Sequence, residues 1–235
     1  MGRRAGSAKA KKGRKKTGFN KKQMSTVRKE ARKVLLAEAE TKALGAQSQG
    51  SPTTPAEGLK HNIPYYAGAL LAVKQGVADP NDYSTPGARI GDEIQLMNVN
   101  VRFMLSSFRP NVTYKLLLFW YSSNLTSLTN GDVFYTQGNK LLDRYDTENI
   151  SIIDQKIIAP NIGALPASDP NNRQTRLVTL NGSWKGKKII YNEGGFTPKF
   201  KDIGFMVVAY DSVNTLQTDQ LGEIVYDYKM KFKDI

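Results

Sequence analysis

The 235-residue sequence predicts an all-β fold: an eight-stranded antiparallel jelly-roll sandwich preceded by a basic, largely disordered N-terminal arm with a short helix. Three observations carry that expectation. Apolar residues recur with a period of two through most of residues 58–235, as half-buried strands require. Turn-forming residues interrupt the pattern about every ten residues, the spacing of an all-β sandwich or barrel. The charge is also segregated. Residues 1–33 hold 14 basic side chains and one acid, whereas residues 34–235 hold 20 of each sign, so the arm alone accounts for the net +13. A neutral body of single-domain size therefore follows a cationic segment.

The first 22 residues contain ten basic side chains and no acid, broken by Gly2, Gly6, Gly13 and Gly18. Apart from Met1, Phe19 is the one large apolar residue there, so self-repulsion outweighs any burial. Clustered cations release condensed counterions when they meet a polyphosphate, and bind it strongly, in a salt-sensitive way and with little regard to sequence. Arg3, Arg4, Lys9, Lys11, Lys12, Arg14, Lys15, Lys16, Lys21 and Lys22 are the candidate contacts. Arg3-Arg4 and the run from Lys11 to Lys16 also match basic clusters read by nuclear import receptors. Met24, Val27, Ala31, Val34 and Leu35 then fall at helical spacing. They predict a helix over residues 25–44, started by Ser25 or Thr26 and ended by Gly45. Arg28, Lys29, Arg32 and Lys33 extend the candidate contacts along it, and the helix is expected to order on nucleic acid or a neighbouring subunit. Residues 45–58, GAQSQGSPTTPAEG, read as a polar linker, so residues 1–57 form the arm and residues 58–235 the single body domain.

Within the body, residues 93–108 alternate, and the phase slips near Met97-Asn98, which predicts a bulge. Residues 112–121 (VTYKLLLFWY) are apolar on both faces, which predicts a strand covered on both sides. Further strands are expected at 139–145, 150–159, 175–180, 187–192, 203–211 and 223–233, with a short helix near 132–135. The last strand is the most informative. Ile224, Tyr226, Tyr228, Met230 and Phe232 alternate with a face that ends in Lys229, Lys231 and Lys233. Asn98, Asn100 and Arg102 make a similar polar row, so Arg102 and the three lysines are added as candidate nucleic-acid contacts. The competing reading of those lysines is an ordinary guard on an edge strand.

Much chemistry is excluded. There is no cysteine and one histidine, His61, which leaves no thiolate or multi-histidine metal centre and no cysteine nucleophile. No apolar run is long enough for a membrane-spanning helix, and the basic N-terminus lacks a signal peptide's apolar stretch. No P-loop, nucleophile-elbow or zinc-protease pattern occurs. Asp143, Asp146, Glu148 and Asp154 could in principle offer oxygen ligands to calcium, but charged loop residues are the plainer reading. No enzyme, cofactor or metal is expected, and exclusion points to the cytosol or nucleus.

The arrangement resembles the jelly-roll capsid proteins of small circular, replication-initiator-encoding single-stranded DNA viruses, the circoviruses and their relatives. Residues 89–103 (RIGDEIQLMNVNVRF) are similar to their first core strand. Residues 112–121 followed by Gly131-Asp132-Val133-Phe134 look like their second strand, loop and short helix. Residues 139–158 (NKLLDRYDTENISIIDQKII) are similar to the segment leading into a further strand. The resemblance implies a self-assembling shell, sixty subunits in a T=1 icosahedron, with single-stranded DNA inside. It implies a virion protein that passes through the host nucleus, and partners limited to itself, single-stranded nucleic acid and import receptors. In such shells the sheet holding the first and last strands lines the interior, which would turn Arg102, Lys229, Lys231 and Lys233 toward the genome. Satellite RNA virus capsids share the arm and the roll, so RNA cargo stays open. A cellular nucleic-acid-binding module with a basic tail is the other alternative.

Overall fold

A computed structural model describes residues 20–39, 41–47, 56–76, 88–125, 127–160, 174–213 and 215–234. It divides after Glu38 into a helical segment and a β body. The helix, α1 (Lys21–Glu38), starts earlier and stops sooner than residues 25–44. Its start is set by Asn20 rather than Ser25 or Thr26. The Asn20 side chain accepts from the N–H of Gln23 at 2.8 Å, and Gln23 accepts in return from the N–H of Asn20 at 2.9 Å. This is a reciprocal capping box, whereas the Thr26 hydroxyl donates back to the Lys22 carbonyl inside the helix.

The body contains nine described strands: β1 (Thr41–Gln47), β2 (Glu57–Lys60), β3 (Tyr65–Ala67), β4 (Glu93–Ser107), β5 (Val112–Ser122), β6 (Ser151–Ile158), β7 (Gln174–Ile190), β8 (Lys201–Asp211) and β9 (Gln220–Asp234). Eight of them nest as one long folded hairpin. β2 pairs with β9, β3 with β8, β4 with β7 and β5 with β6, all antiparallel. Pairing of β9 with β4 and of β8 with β5 joins these couples into two sheets, β2-β9-β4-β7 and β3-β8-β5-β6. That is the expected jelly-roll sandwich, now with the strand connectivity that periodicity alone does not give. β1 is an addition, lying end to end with β2 along the same edge of β9.

The strands differ from expectation in identity. Residues 41–47, read as helix end and linker, are a strand, because β9 offers them an open edge. The segment expected to open the roll, β4, is its third strand. Residues 175–180 and 187–190 belong to the single strand β7, and Tyr191 and Asn192 lie beyond its end. The stretch left between the two expected strands, NGSWKG (residues 181–186), is accommodated in the sheet. Gly182 leaves room for the Trp184 ring, and Gly186 takes a left-handed φ of 81° opposite the β4 bulge at Met97. Residues 139–145 are not a strand. They coil into a turn in which Leu142 and Asp143 donate to the Asn139 carbonyl at 2.9 and 2.7 Å. The short helix appears as α2 (Asn130–Val133), with Thr129 and Asp132 capping it.

The main core fills the space between the sheets. Phe205 of β8 meets Phe103 of β4 at 5.0 Å and Tyr226 of β9 at 4.6 Å, both edge to face, each such pair contributing about 1 kcal/mol beyond its buried area. A second apolar cluster lies on the outer face of β3-β8-β5-β6. There Leu117, Phe119, Tyr121, Met206 and Val208 are covered by Val133, Phe134 and Ile150. This explains why β5 is apolar on both faces. The covering segment is held by Lys115 of β5. Its buried amine donates to the carbonyls of Lys140, Leu141 and Asp143 at 3.0, 3.0 and 3.4 Å and lies 4.5 Å from the Tyr145 ring centre.

Two further buried groups brace the loops. Arg89, fully buried, donates to the carbonyls of Gly91, Asn192 and Gly195 and to Asp92, and stacks on Tyr191. Asp202, at the start of β8, accepts from the N–H groups of Leu71 at 3.0 Å and Ile203 at 2.6 Å. Burial pushes its carboxyl up to about 6.

Candidate nucleic-acid interface

The two sheets present different outer faces. That of β3-β8-β5-β6 is roofed by residues 123–150, whereas that of β1-β9-β4-β7 carries polar side chains. Period-two alternation along β9 buries Met230 and Phe232 and turns Lys229 and Lys231 outward, exposed, with Lys233 half-buried. Register places Asn100 beside Lys229, Asn98 beside Lys231 and Gln95 beside Lys233 on β4. On the other side Gly45, Ala43 and Thr41 of β1 occupy the matching positions. Lys229 and Lys231 therefore have uncharged cross-strand neighbours, and among the described residues neither forms an ion pair. The bulge predicted at Met97 is what aligns this row: both β4 ladders shift register between Leu96 and Asn98.

Arg102 is exposed on the same face, one step further along, with Asp227 opposite it on β9 and Thr179 on β7. It borders a shallow depression of about 440 Å³, whose floor includes Met104, Leu177 and Val225. The four body residues proposed from the sequence thus share one sheet face, with Asp227 offsetting part of the charge beside Arg102. Asn181, Ser183 and Lys188 of β7 extend that face; sequence reasoning missed the first two because they fell between two expected strands, and Lys188 because the pairing of its expected strand with β4 is not written in the pattern. Asn100 donates to Asn181, Asn98 to the Gly182 carbonyl at 2.9 Å, and Lys188 pairs with Glu93.

On α1, Lys21, Lys22, Arg28, Lys29 and Lys33 are exposed, and Arg32 lies on the same helix. Helical spacing gathers all six on one half of the helix, with Met24, Val27, Val34 and Leu35, also exposed, on the other. Lys33 pairs with Glu30 at 2.8 Å. Arg3, Arg4, Lys9, Lys11, Lys12, Arg14, Lys15 and Lys16 lie outside the described residues.

The acids considered for calcium are dispersed. Asp143 pairs with Lys140 at 2.9 Å and accepts from Thr136, Asp146 caps the turn to Glu148, and Asp154 accepts from the Asn181 N–H across the two sheet edges. For Asp143 burial raises the carboxyl, but these hydrogen bonds and the Lys140 charge outweigh it and hold it below its usual range. His61 is a structural acceptor: its Nδ1 takes the N–H of Asp211 at 3.1 Å, and its ring packs on Tyr210.

No protein-family model matches the chain, and a search of curated proteins finds no match. Two solved structures superpose loosely. One is apo VP1 of chimpanzee polyomavirus, at 10% identity over 83% of this chain and 77% of the other, with a TM-score of 0.12. The other is VP1 of Trichodysplasia spinulosa-associated polyomavirus, at 7% identity over 82% and 77%, also at 0.12. At those values they add nothing to the topology read from the strand pairing.

Proposed function

We propose that this chain is the shell-forming subunit of a small icosahedral virus particle and packages single-stranded nucleic acid, DNA by family resemblance, through its basic arm. The observation that carries the reading is the division of labour in the molecule. A jelly roll has one sheet roofed by its own loops and the other, among the described residues of the roll, lysine-bearing, and it follows a segment, residues 1–33, that carries the whole net charge of +13. A shell subunit needs an inner surface that attracts phosphate and an outer surface that does not. β1, the first described strand after the basic segment, pairs with the half of β9 that carries Lys229, Lys231 and Lys233. Arm and sheet face then serve one interior.

Sixty copies would bring about 780 positive charges inside the shell, enough to neutralise on the order of half the phosphates of a genome one to two thousand nucleotides long. The basic runs at Arg3-Arg4 and Lys11–Lys16 would also serve nuclear import before assembly, placing the protein in the host nucleus and then the virion. Residues 1–33 supply binding, residues 21–38 a helix that orders on cargo or a neighbouring subunit, and the roll supplies the wall.

Electron microscopy of the purified protein, with its 260/280 nm absorbance ratio, tests this. Uniform spheres about 20 nm across are expected, with a raised ratio that deletion of residues 1–33 abolishes. A monomer or small oligomer that binds nucleic acid would overturn the shell reading in favour of a basic-tailed binding module.

A further inference from the structure

The end of the sandwich where β7 turns into β8 carries five lysines that the face described above does not explain. Lys185, Lys187 and Lys188 lie at the end of β7, and Lys199 and Lys201 flank Phe200 at the start of β8. The left-handed Gly186 rotates the strand so that Lys187, instead of following Lys185 outward, lies over Trp120 with its amine 4.1 Å from the ring centre. Trp120 in turn packs edge to face on Trp184 at 5.4 Å. The connecting hairpin is fixed: Tyr191 bridges to Pro198, Lys199 donates to the Ile190 carbonyl at 2.8 Å, and Arg89 holds the Asn192 and Gly195 carbonyls from beneath.

On this rigid support Phe200 is 61% exposed, with the Lys199 amine 5.6 Å from its ring centre. Between Phe200, Lys187, Lys201 and Pro198 lies a recess of about 190 Å³, smaller than the roughly 300 Å³ at which small-molecule pockets begin. Lys187 is pushed below its usual range, by burial first and then by the charge of Lys201. Among the described residues the ion pair formed by this group is that of Lys188 with Glu93. Lys187 and Lys201 thus line one recess together with an apolar ring that is largely exposed.

We propose that Phe200, with Lys187, Lys199 and Lys201, forms a stacking site for one base of a single-stranded nucleic acid, the lysines taking the phosphates on either side. An aromatic ring among cations on a fixed backbone suits a strand that offers a flat apolar face and a charged backbone together. A sulfated polysaccharide would engage the lysines but has no use for the ring. The proposal rests on the nucleic-acid reading above and adds to it a site on the roll itself.

The test uses the full chain in high salt, where the arm's contribution is suppressed and stacking persists. Binding of a fluorescent dT12 oligonucleotide is compared with that of an abasic twelve-mer of equal charge. Wild type should prefer dT12 about tenfold, as one stacked base implies. Phe200→Ala should abolish the preference, and Phe200→Trp should keep it while reporting that the hairpin still folds. Lys199→Gln with Lys201→Gln should weaken both oligonucleotides alike and lower the salt slope. Equal binding of both oligonucleotides by wild type, or a preference that survives Phe200→Ala, overturns the stacking site and leaves the nucleic-acid reading standing. Binding of neither in high salt overturns the stacking site, and binding of neither in low salt as well overturns both readings. Heparin displacing dT12 equally from wild type and Phe200→Ala, with no base preference in either, assigns the patch to a polysaccharide. Loss of particles in Phe200→Ala with base preference unchanged assigns the ring to a contact between copies.

Discussion

Replacing Asp202 by asparagine isolates the electrostatic cost of one buried carboxyl. Asp202 is 2% exposed, and burial raises its pKa from 3.8 to about 6. The native state therefore holds a proton that the unfolded chain has released between about pH 4 and 6. Stability contributed at this site falls as pH rises through that window, because the native state binds more protons there. Below the window both states are protonated and the site is neutral in the balance. Above it the full shift of about two units applies, a penalty of about 3 kcal/mol at 1.36 kcal/mol per unit. An asparagine side chain cannot ionise, yet its carbonyl oxygen can still accept from Leu71 and Ile203, whose N–H groups both point at Oδ1 of Asp202. Asp202→Asn should then be more stable than wild type by about 2–3 kcal/mol at pH 7.5, with the difference shrinking toward zero at pH 4. Urea unfolding of the purified protein, followed by the fluorescence of Trp120 and Trp184, measures this at both pH values. A difference of the same size and sign at pH 7.5 and pH 4 would refute the argument, since only a titrating group can make it vanish with acid.

Three other perturbations have defined outcomes. Lys229→Gln with Lys231→Gln should lower the slope of log affinity against log salt for single-stranded nucleic acid by about 1.4, at about 0.7 per lost phosphate contact; an unchanged slope would remove these lysines from the interface. Lys115→Met leaves three carbonyls of the covering segment without their donor and should cost about 2–4 kcal/mol, read as faster tryptic cleavage between residues 123 and 150 while the inter-sheet core persists. A Cβ at Gly222 would press into the Ser106 carbonyl oxygen and sit 2.7 Å from the Tyr114 hydroxyl. Gly222→Ala should accordingly lose about 1–3 kcal/mol in urea unfolding, and a neutral result would mean that β9 sits further from β4 than the ladder implies.

What could be read from the sequence was whatever a strand's own residues decide. β4, β5, β8 and β9 are long and alternate or saturate with apolar residues, and the slip at Met97 announced its bulge. β2 and β3, at four and three residues, carry too little pattern to be seen. They exist because β9 and β8, far away in sequence, offer them edges. β1 was hidden for a related reason: TKALGAQ has helical composition, and tertiary pairing overrides it. At the candidate interface, period two was enough to place Lys229, Lys231 and Lys233 on one face and Arg102 on its neighbour. It could not bring in Asn181 and Ser183, because their strand reads as broken at two glycines whose role lies in the Trp184 ring and the bulge opposite, nor Lys188, whose pairing with Gln95 is set by β4. The exposure of Phe200 is likewise invisible in the pattern PKFK, since it depends on the hairpin that Arg89 holds.

The position of β9 constrains how the molecule comes into being. It follows every other strand in the chain yet sits inside its sheet, between β4 on one side and β1 and β2 on the other. During synthesis the ribosome can release β3, β5, β6 and β8 into pairing distance while β4 and β7 wait as a two-stranded ribbon with a bare apolar face. Pairings of such long sequence separation form slowly, and open edges invite association in the meantime. A translation product cut short before Gln220 has no strand to close the gap between β2 and β4. Chains that lack β9 therefore cannot complete the β1-β9-β4-β7 sheet, and folding itself separates them from chains that carry it.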